Sequence, residues 1–147
     1  MTEKTELKET FWHEGGQLKS IENSKNGIPH GQRRRWDENG QLTNEEHLVD
    51  GRLHGIQSTW FSNGQKETEI NFVNDKPDGV CKYWYENGNP KSEENMFEGK
   101  HDGEHTAWFE NGNIHEKQNF KDGALHGKVS TFHEDGCLLY QKLYHLY

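Results

Sequence analysis

Aromatic residues in this chain return at a fixed interval and are separated by polar stretches that end in glycine. The aromatic position recurs every 24 residues without a slip in spacing. Its six members are Trp12, Trp36, Trp60, Trp84, Trp108 and Phe132. A constant period in this range indicates a repeat architecture in which neighbouring units bury a shared core. We interpret this aromatic column as a packing ladder along the repeats.

Glycine follows the same period. The column four residues after each aromatic residue is complete: Gly16, Gly40, Gly64, Gly88, Gly112 and Gly136. Because the residue before it varies, we predict a three-residue hairpin loop with positive φ required only at the glycine. In the second repeat this loop sets Trp36 opposite Leu42. A second glycine motif recurs with the same period. It is Gly-x-x-x-Gly, from Gly27 to Gly31 and at equivalent positions, and it predicts a longer second turn.

Short segments with glycine turns about every 12 residues are typical of an all-β protein. We predict an elongated, single-layer antiparallel β-meander of stacked 24-residue hairpin repeats. The chain is expected to be one domain, residues 1–147. It divides into a half-repeat 1–16, full repeats 17–40, 41–64, 65–88, 89–112 and 113–136, and a capping half-repeat 137–147.

Strict alternation along the strands assigns side chains to two faces. It places Glu46 and Leu48 on the side of Trp36. The other side carries a second aromatic column that is present in the middle repeats only, with acids beside it. We predict that this surface binds a protein, since exposed aromatic patches with polar rims mark binding sites; the alternative is a purely structural role for these rings. Its residues are Phe61, Tyr85, Phe109, Glu45, Glu69 and Glu93.

Composition restricts the function. Hydrophobic residues make up 29% of the chain and aromatic residues 12%, which predicts a folded protein with a thin core. The net charge of −8 disfavours nucleic acid and anionic membranes and favours basic partners. The basic run Arg33–Arg35 is too short to alter that expectation. The first residues lack the apolar segment of a signal peptide, and no apolar run approaches transmembrane length, so we expect a cytoplasmic protein.

Histidine and acidic residues suggest a metal or catalytic site, but their spacing argues against one. His30, His54 and His126 share a column with Asp78 and Asp102. Column mates lie two strands, about 9.6 Å, apart and are too distant to share an ion, so we predict a role in the turn. Cys81 and Cys137 form neither a zinc pattern nor a disulfide framework. No nucleophile or phosphate-loop motif is present, and we predict a non-enzymatic protein without metal or cofactor.

The unit from Trp84-Tyr85-Glu86-Asn87-Gly88 to Gly99-Lys100-His101-Asp102-Gly103 resembles the bacterial variant of the MORN repeat. The likeness extends from about Phe11 over nearly the whole chain. Departures are Asp75 at a turn glycine and Lys66 and Pro90 in a leucine column. MORN-type repeats form stacked β-hairpins in a single-layer sheet. Chains built from this variant are similar to the YwqK-type family, which is labelled as antitoxin or immunity proteins and so implies a toxin partner.

Two functions therefore compete. The first is an antitoxin or immunity protein that neutralises a toxin by direct contact, and the acidic charge favours a basic toxin. The second is a self-associating scaffold or adaptor without a toxin, in which the apolar strand after Cys137 joins two copies. Membrane-lipid binding, associated with MORN repeats as a class, is disfavoured by the negative charge.

Overall fold

The computed structural model describes residues 4–13 and 16–145, and this part of the chain contains fourteen strands and no helix. The strands are β1 Thr5–Phe11, β2 Leu18–Lys25, β3 Ile28–Trp36, β4 Leu42–Val49, β5 Arg52–Leu53, β6 Gly55–Trp60, β7 Lys66–Val73, β8 Lys76–Trp84, β9 Pro90–Phe97, β10 Lys100–Trp108, β11 Ile114–Lys121, β12 Ala124–Leu125, β13 Gly127–Phe132 and β14 Leu138–Tyr144.

The strands belong to two compact units, the first ending at Lys76 and the second beginning at Pro77. In the first unit β1, β2, β3, β4, β6 and β7 pair in chain order, and the two-residue β5 pairs with β4. The second unit repeats this plan from β8 to β14, with β12 on β11. Every described pairing is antiparallel. The predicted all-β meander is confirmed.

The turn after each tryptophan has the predicted geometry. Trp36 lies opposite Leu42, the Asp37 amide donates to the Gln41 carbonyl at 2.9 Å, and the Gly40 amide donates to the Asp37 carbonyl at 3.0 Å. The φ of Gly40 is 81°, and Gly64, Gly88, Gly112 and Gly136 have values of 86°, 87°, 90° and 88°. The first hairpin differs in its closing bond, which runs one residue further out, from the Trp12 amide to the Gln17 carbonyl at 3.1 Å.

The second turn is shorter than predicted. Val49 pairs with Arg52, so only Asp50 and Gly51 form the turn, with φ of 49° and 80°. Positive φ at both central residues defines a type I′ hairpin. The predicted Gly-x-x-x-Gly turn is therefore wrong. The second glycine of that spacing, Gly55 in this repeat with φ 93°, lies in the strand that follows.

The second glycine of the Gly-x-x-x-Gly spacing lies in a bulge in which three residues of one strand face one residue of the next. In the second unit His101 pairs with Met96 and His105 pairs with Glu94, so three residues of β10 stand opposite the single residue Asn95. Gly103, in the middle of the three, has φ 112°. A Cβ at Gly103 would lie 3.1 Å from the Asn95 Cβ. Glycine is needed here for both its conformation and its size.

A further bulge follows the tryptophan turn and overturns the predicted faces. Thr59 pairs with Thr68 and Trp60 with Lys66, which leaves Glu67 as an extra residue. Side chains beyond the bulge change sides. The Lys66 ammonium accordingly lies 5.9 Å from the Trp60 ring centroid and 2.5 Å from the Glu69 carboxylate. Glu69 thus lies on the tryptophan side of the sheet, which we call the Trp face, and not with Phe61.

The same correction applies to the preceding hairpin. Arg33, three residues before Trp36, contacts Glu46 across the strand pair, whereas Arg34 contacts Glu45. Glu46, and Leu48 two residues beyond it, therefore lie on the face opposite Trp36. We call this second side the counter face. The prediction that Trp36, Glu46 and Leu48 share one side is wrong.

The core is thin, as predicted. The buried apolar side chains are Leu48, Cys81 and Val129, at 4%, 1% and 5% exposure. The described tryptophan ladder is half-buried throughout, and the Trp12 indole donates to the Trp36 carbonyl at 3.2 Å. The strands are held together by backbone ladders and partial burial, because no second layer covers either face among the described residues.

Candidate functional site

The second aromatic column is half-buried, and two of its rings, Tyr85 and Phe109, have partners within their own chain. The Tyr85 hydroxyl donates to the Trp108 carbonyl at 2.8 Å, and the Lys91 ammonium lies 5.7 Å from the Tyr85 ring centroid. The Phe109 ring lies 4.5 Å from the His115 ring. The sequence predicted rings without cover from their own chain. Tyr85 instead links one hairpin to the next.

The acids predicted beside these rings are each in an ion pair. Glu45 contacts Arg34 at 2.6 Å, Glu69 contacts Lys66 at 2.5 Å, and Glu93 contacts Lys82 at 3.9 Å. The side chains of Glu45 and Glu69 are each only about one-third exposed. The bulge that places Glu69 on the Trp face separates it from Phe61. The structure therefore does not bring the aromatic and acidic halves of the predicted surface together in this unit.

The basic run Arg33–Arg35 is neutralised by its neighbours across the sheet. Arg33 contacts Glu46 at 2.5 Å and Glu22 at 3.3 Å, and Arg35 lies 3.8 Å from Glu46. Burial opposes the charged form of Arg33, but the bonds to Glu46 and Glu22 outweigh it and raise the pKa of the guanidinium. The run is a structural network on the counter face, with Arg34 directed to the Trp face.

Asparagine side chains, which the sequence interpretation missed, fill the bulges of three residues against one. The side-chain amides of Asn23 and Asn95 donate to the Gln32 and Glu104 carbonyls, both at 2.9 Å. Asparagine occupies this position of the 24-residue period in four repeats and His47 occupies it in one, so the signal was present in the sequence. The bonds satisfy carbonyls that the bulge removes from the strand ladder. The equivalent Asn119 makes no such bond among the described residues.

Neighbouring repeats are joined at both rows of turns. Asn87 and Asn89 donate to the Glu110 carbonyl at 3.3 and 2.9 Å, and Asn111 and Asn113 repeat this toward Glu134. On the other row, each turn amide donates to a carbonyl of the preceding repeat. These bonds run from Gly51 to Pro29, Asp75 to Leu53, Gly99 to Pro77 and Gly123 to His101.

The departure at Asp75 has a local explanation. Its carboxylate accepts a hydrogen bond from the Leu53 amide at 2.8 Å. At the equivalent positions Pro29 and Pro77 there is no amide to satisfy. Asp75 has φ 68°, a conformation that aspartate tolerates better than most residues. The Asp75 carboxylate thus supplies an acceptor for the Leu53 amide, a donor that the proline-containing repeats do not have.

The histidine and aspartate column serves the turns, as predicted. Asp78 accepts from the Glu98 amide at 3.2 Å, and Asp102 accepts from the Asp122 amide at 3.4 Å. Asp102 also contacts the Lys121 ammonium at 2.8 Å, and that hydrogen bond lowers the pKa of the carboxyl. No group of metal-ligating side chains occurs in the described ranges.

The repeat geometry agrees with the comparison with known families. The model of the MORN repeat variant matches residues 5–26, 29–50, 53–74, 77–97 and 102–122. The chain belongs to this family. Each matched MORN unit is one hairpin around the tryptophan turn, whereas the predicted repeats begin directly after that turn. The hairpin of β13 and β14 lies beyond the matched units. No curated protein matches the chain.

MORN repeats are binding modules and not a known enzyme family.

One titratable cluster lies on the counter face of the second unit. Burial and the Glu94 carboxylate raise the pKa of the Cys81 thiol to about 11, so the thiol stays protonated at neutral pH. Burial first, and Glu94 second, also raise the pKa of Tyr83. Such groups are poor nucleophiles. Within the described ranges, no helix is long and apolar enough to cross a membrane.

The last hairpin, formed by β13 and β14, ends in a strongly apolar strand. Leu138, Leu139, Tyr140 and Leu143 of β14 are 54%, 60%, 46% and 58% exposed. In the described chain β14 pairs with β13 alone, so its outer edge has no strand beside it. The outer edge of β1 is different, because this strand carries the charged residues Glu6, Lys8 and Glu9 beside Leu7 and Phe11. Charged edges discourage strand addition, and apolar edges favour it.

A groove of about 440 Å³ lies on the Trp face of the second unit. We call it the lysine groove, and its principal lining residues are Thr106, Ile114, Lys117, Lys128, Ser130 and Phe132. Asn119 and Glu104 also border it. Lys117 pairs with Ser130 on one side and Thr106 on the other. Neither lysine lies within 4.0 Å of a carboxylate among the described residues.

Proposed function

We propose that this MORN protein is a non-enzymatic protein-binding module, and that its partner is a toxin it neutralises by direct contact. The observation that carries protein binding is the apolar outer edge of β14. A partner strand added there would gain backbone hydrogen bonds together with burial of leucine side chains. The toxin is proposed from the likeness to the antitoxin and immunity family.

The net charge of the chain supports a basic partner, but the acidic residues predicted at the binding surface do not. Because Glu45, Glu69 and Glu93 are neutralised by Arg34, Lys66 and Lys82, they are weak candidates for specific contacts. The net charge of −8 still favours the approach of a basic protein over long range. Phe61, Tyr85 and Phe109 stay proposed contact residues.

The direct test uses the product of the reading frame beside the gene for this chain. We expect it to bind the purified protein, and we expect Leu139→Glu with Leu143→Glu to weaken binding at least tenfold by calorimetry. Leu7→Glu is the matched control, since Leu7 is also 60% exposed but lies on the other edge strand. No binding by the wild-type chain, or equal losses in both variants, would contradict the proposal.

Self-association is the second candidate, favoured by the same strand. An antiparallel pair of β14 strands centred on Gln141 would set Leu139 against Leu143 and Tyr140 against Lys142, with no like charges opposed. Light scattering after size exclusion separates the two functions. A stable dimer that Leu139→Glu makes monomeric, without a neighbouring toxin, favours the scaffold.

A further inference from the structure

We propose that the lysine groove binds an acidic side chain from an extended segment of the protein partner. This inference rests on the proposed protein-binding function, and it adds the chemistry of a specific contact. The groove lies wholly in the second unit, between β10, β11 and β13. At one repeat position in this groove the charge is reversed, because Lys117 stands where Glu45 and Glu93 stand in earlier repeats.

In two earlier repeats, these two positions hold an ion pair, whereas in a third Ser58 stands opposite Glu69, which contacts Lys66 instead. Arg34 pairs with Glu45, and Lys82 pairs with Glu93, each across two antiparallel strands. The equivalent pair in the next repeat is Thr106 with Lys117. Threonine replaces the base and lysine replaces the acid. The same backbone position therefore carries a cation with no acid of its own repeat to neutralise it.

Within residues 4–13 and 16–145, other donors at the groove also lack an intramolecular acceptor. Lys128, which pairs with Leu143 on the backbone, brings a second ammonium group. Asn119 leaves unmade the carbonyl bond that Asn23 and Asn95 form, so its amide stays available. Two ammonium groups and an amide facing one cleft match a carboxylate acceptor.

The shape and the walls favour a side chain on a peptide over a free ion. Ile114 and Phe132 form an apolar part of the wall beside the cations. A volume of about 440 Å³ holds several atoms more than one carboxylate. Glu104 at the border would repel an anion that is not oriented, and this favours a carboxylate delivered at a fixed position. An acidic residue with an apolar neighbour in an extended segment fits both parts.

The experiment needs no toxin. The probe is an acetylated and amidated peptide, Glu-Leu-Glu-Ser-Glu, titrated into the 15N-labelled full chain. We expect saturable amide shifts at Thr106, Lys117 and Ser130. The same peptide with Gln in place of Glu should bind at least tenfold more weakly. Lys117→Gln with Lys128→Gln should weaken the acidic peptide by a similar factor, whereas Lys100→Gln, an exposed lysine outside the groove, should not.

Several results would overturn the inference. They are equal binding of the Glu and Gln peptides, shifts confined to other surfaces, or an unchanged affinity in the double variant. Inorganic phosphate is titrated in parallel. If it saturates the same amides as tightly as the peptide, the groove takes a free anion and the peptide assignment is wrong. If the peptide fails while the β14 variant abolishes toxin binding, this inference falls and the proposed function stands.

Discussion

At the residue scale, the turn glycine Gly112 offers a clean measurement of backbone strain. Its φ is 90°, and a Cβ built there meets no atom within 4 Å. Gly112→Ala should therefore destabilise the protein by about 1–2 kcal/mol through conformation alone. Gly112→Asn should lose less, since asparagine adopts positive φ more readily. Urea unfolding gives both values, and identical losses for Ala and Asn would argue against strain as the cause.

The bulge asparagines provide a second comparison at this scale. Asn95→Ala removes the hydrogen bond to the Glu104 carbonyl and should cost about 1 kcal/mol. Asn119→Ala is the matched control at the equivalent position, where the bond is absent, and it should cost much less. Thermal unfolding of the two variants is sufficient. A larger loss for Asn119 would mean that the amide has a structural role that the geometry does not show.

At the scale of the element, the three strands β2, β3 and β4 are cross-linked by Arg33. Its side chain is 20% exposed and lies between Glu22 and Glu46, whereas Arg34 is 43% exposed and faces Glu45 alone. Arg33→Met should cost about 2 kcal/mol, because two half-buried carboxylates lose their counterion. Arg34→Met should cost about 1 kcal/mol or less. Denaturant titration in parallel measures the difference, and the reverse order would contradict it.

The same scale explains what the sequence could and could not predict. The tryptophan period and Gly40 were sufficient for the fold and the first turn. The face of Glu69 was not predictable by alternation, because Glu67 is an extra residue and nothing in its chemistry distinguishes a bulge. The second turn was misjudged because Asp50 takes positive φ beside Gly51. The asparagine column of Asn23 and Asn95 was visible as a period, but its bulge role needed the backbone.

At the scale of the whole molecule, burial is sparse. Only Leu48, Cys81 and Val129 are buried apolar residues among those described, while eleven large hydrophobic residues are exposed. The heat capacity change of unfolding follows newly exposed apolar surface, and an ordinary chain of this length gives about 2 kcal/mol/K. We expect a clearly smaller value by scanning calorimetry. A value at or above the ordinary one would require more burial than the sheet provides.

The order of the strands also has a consequence for how fast the protein folds. In each unit, the described pairings join strands that are consecutive in the chain or separated only by the two-residue β5 or β12, and the turns span two or three residues in most hairpins. Closing such short loops costs little entropy, so a hairpin can form within microseconds and offer its edge to the next. Most β proteins fold slowly because distant segments must meet first. Here the ribosome delivers each strand directly after the one on which it pairs.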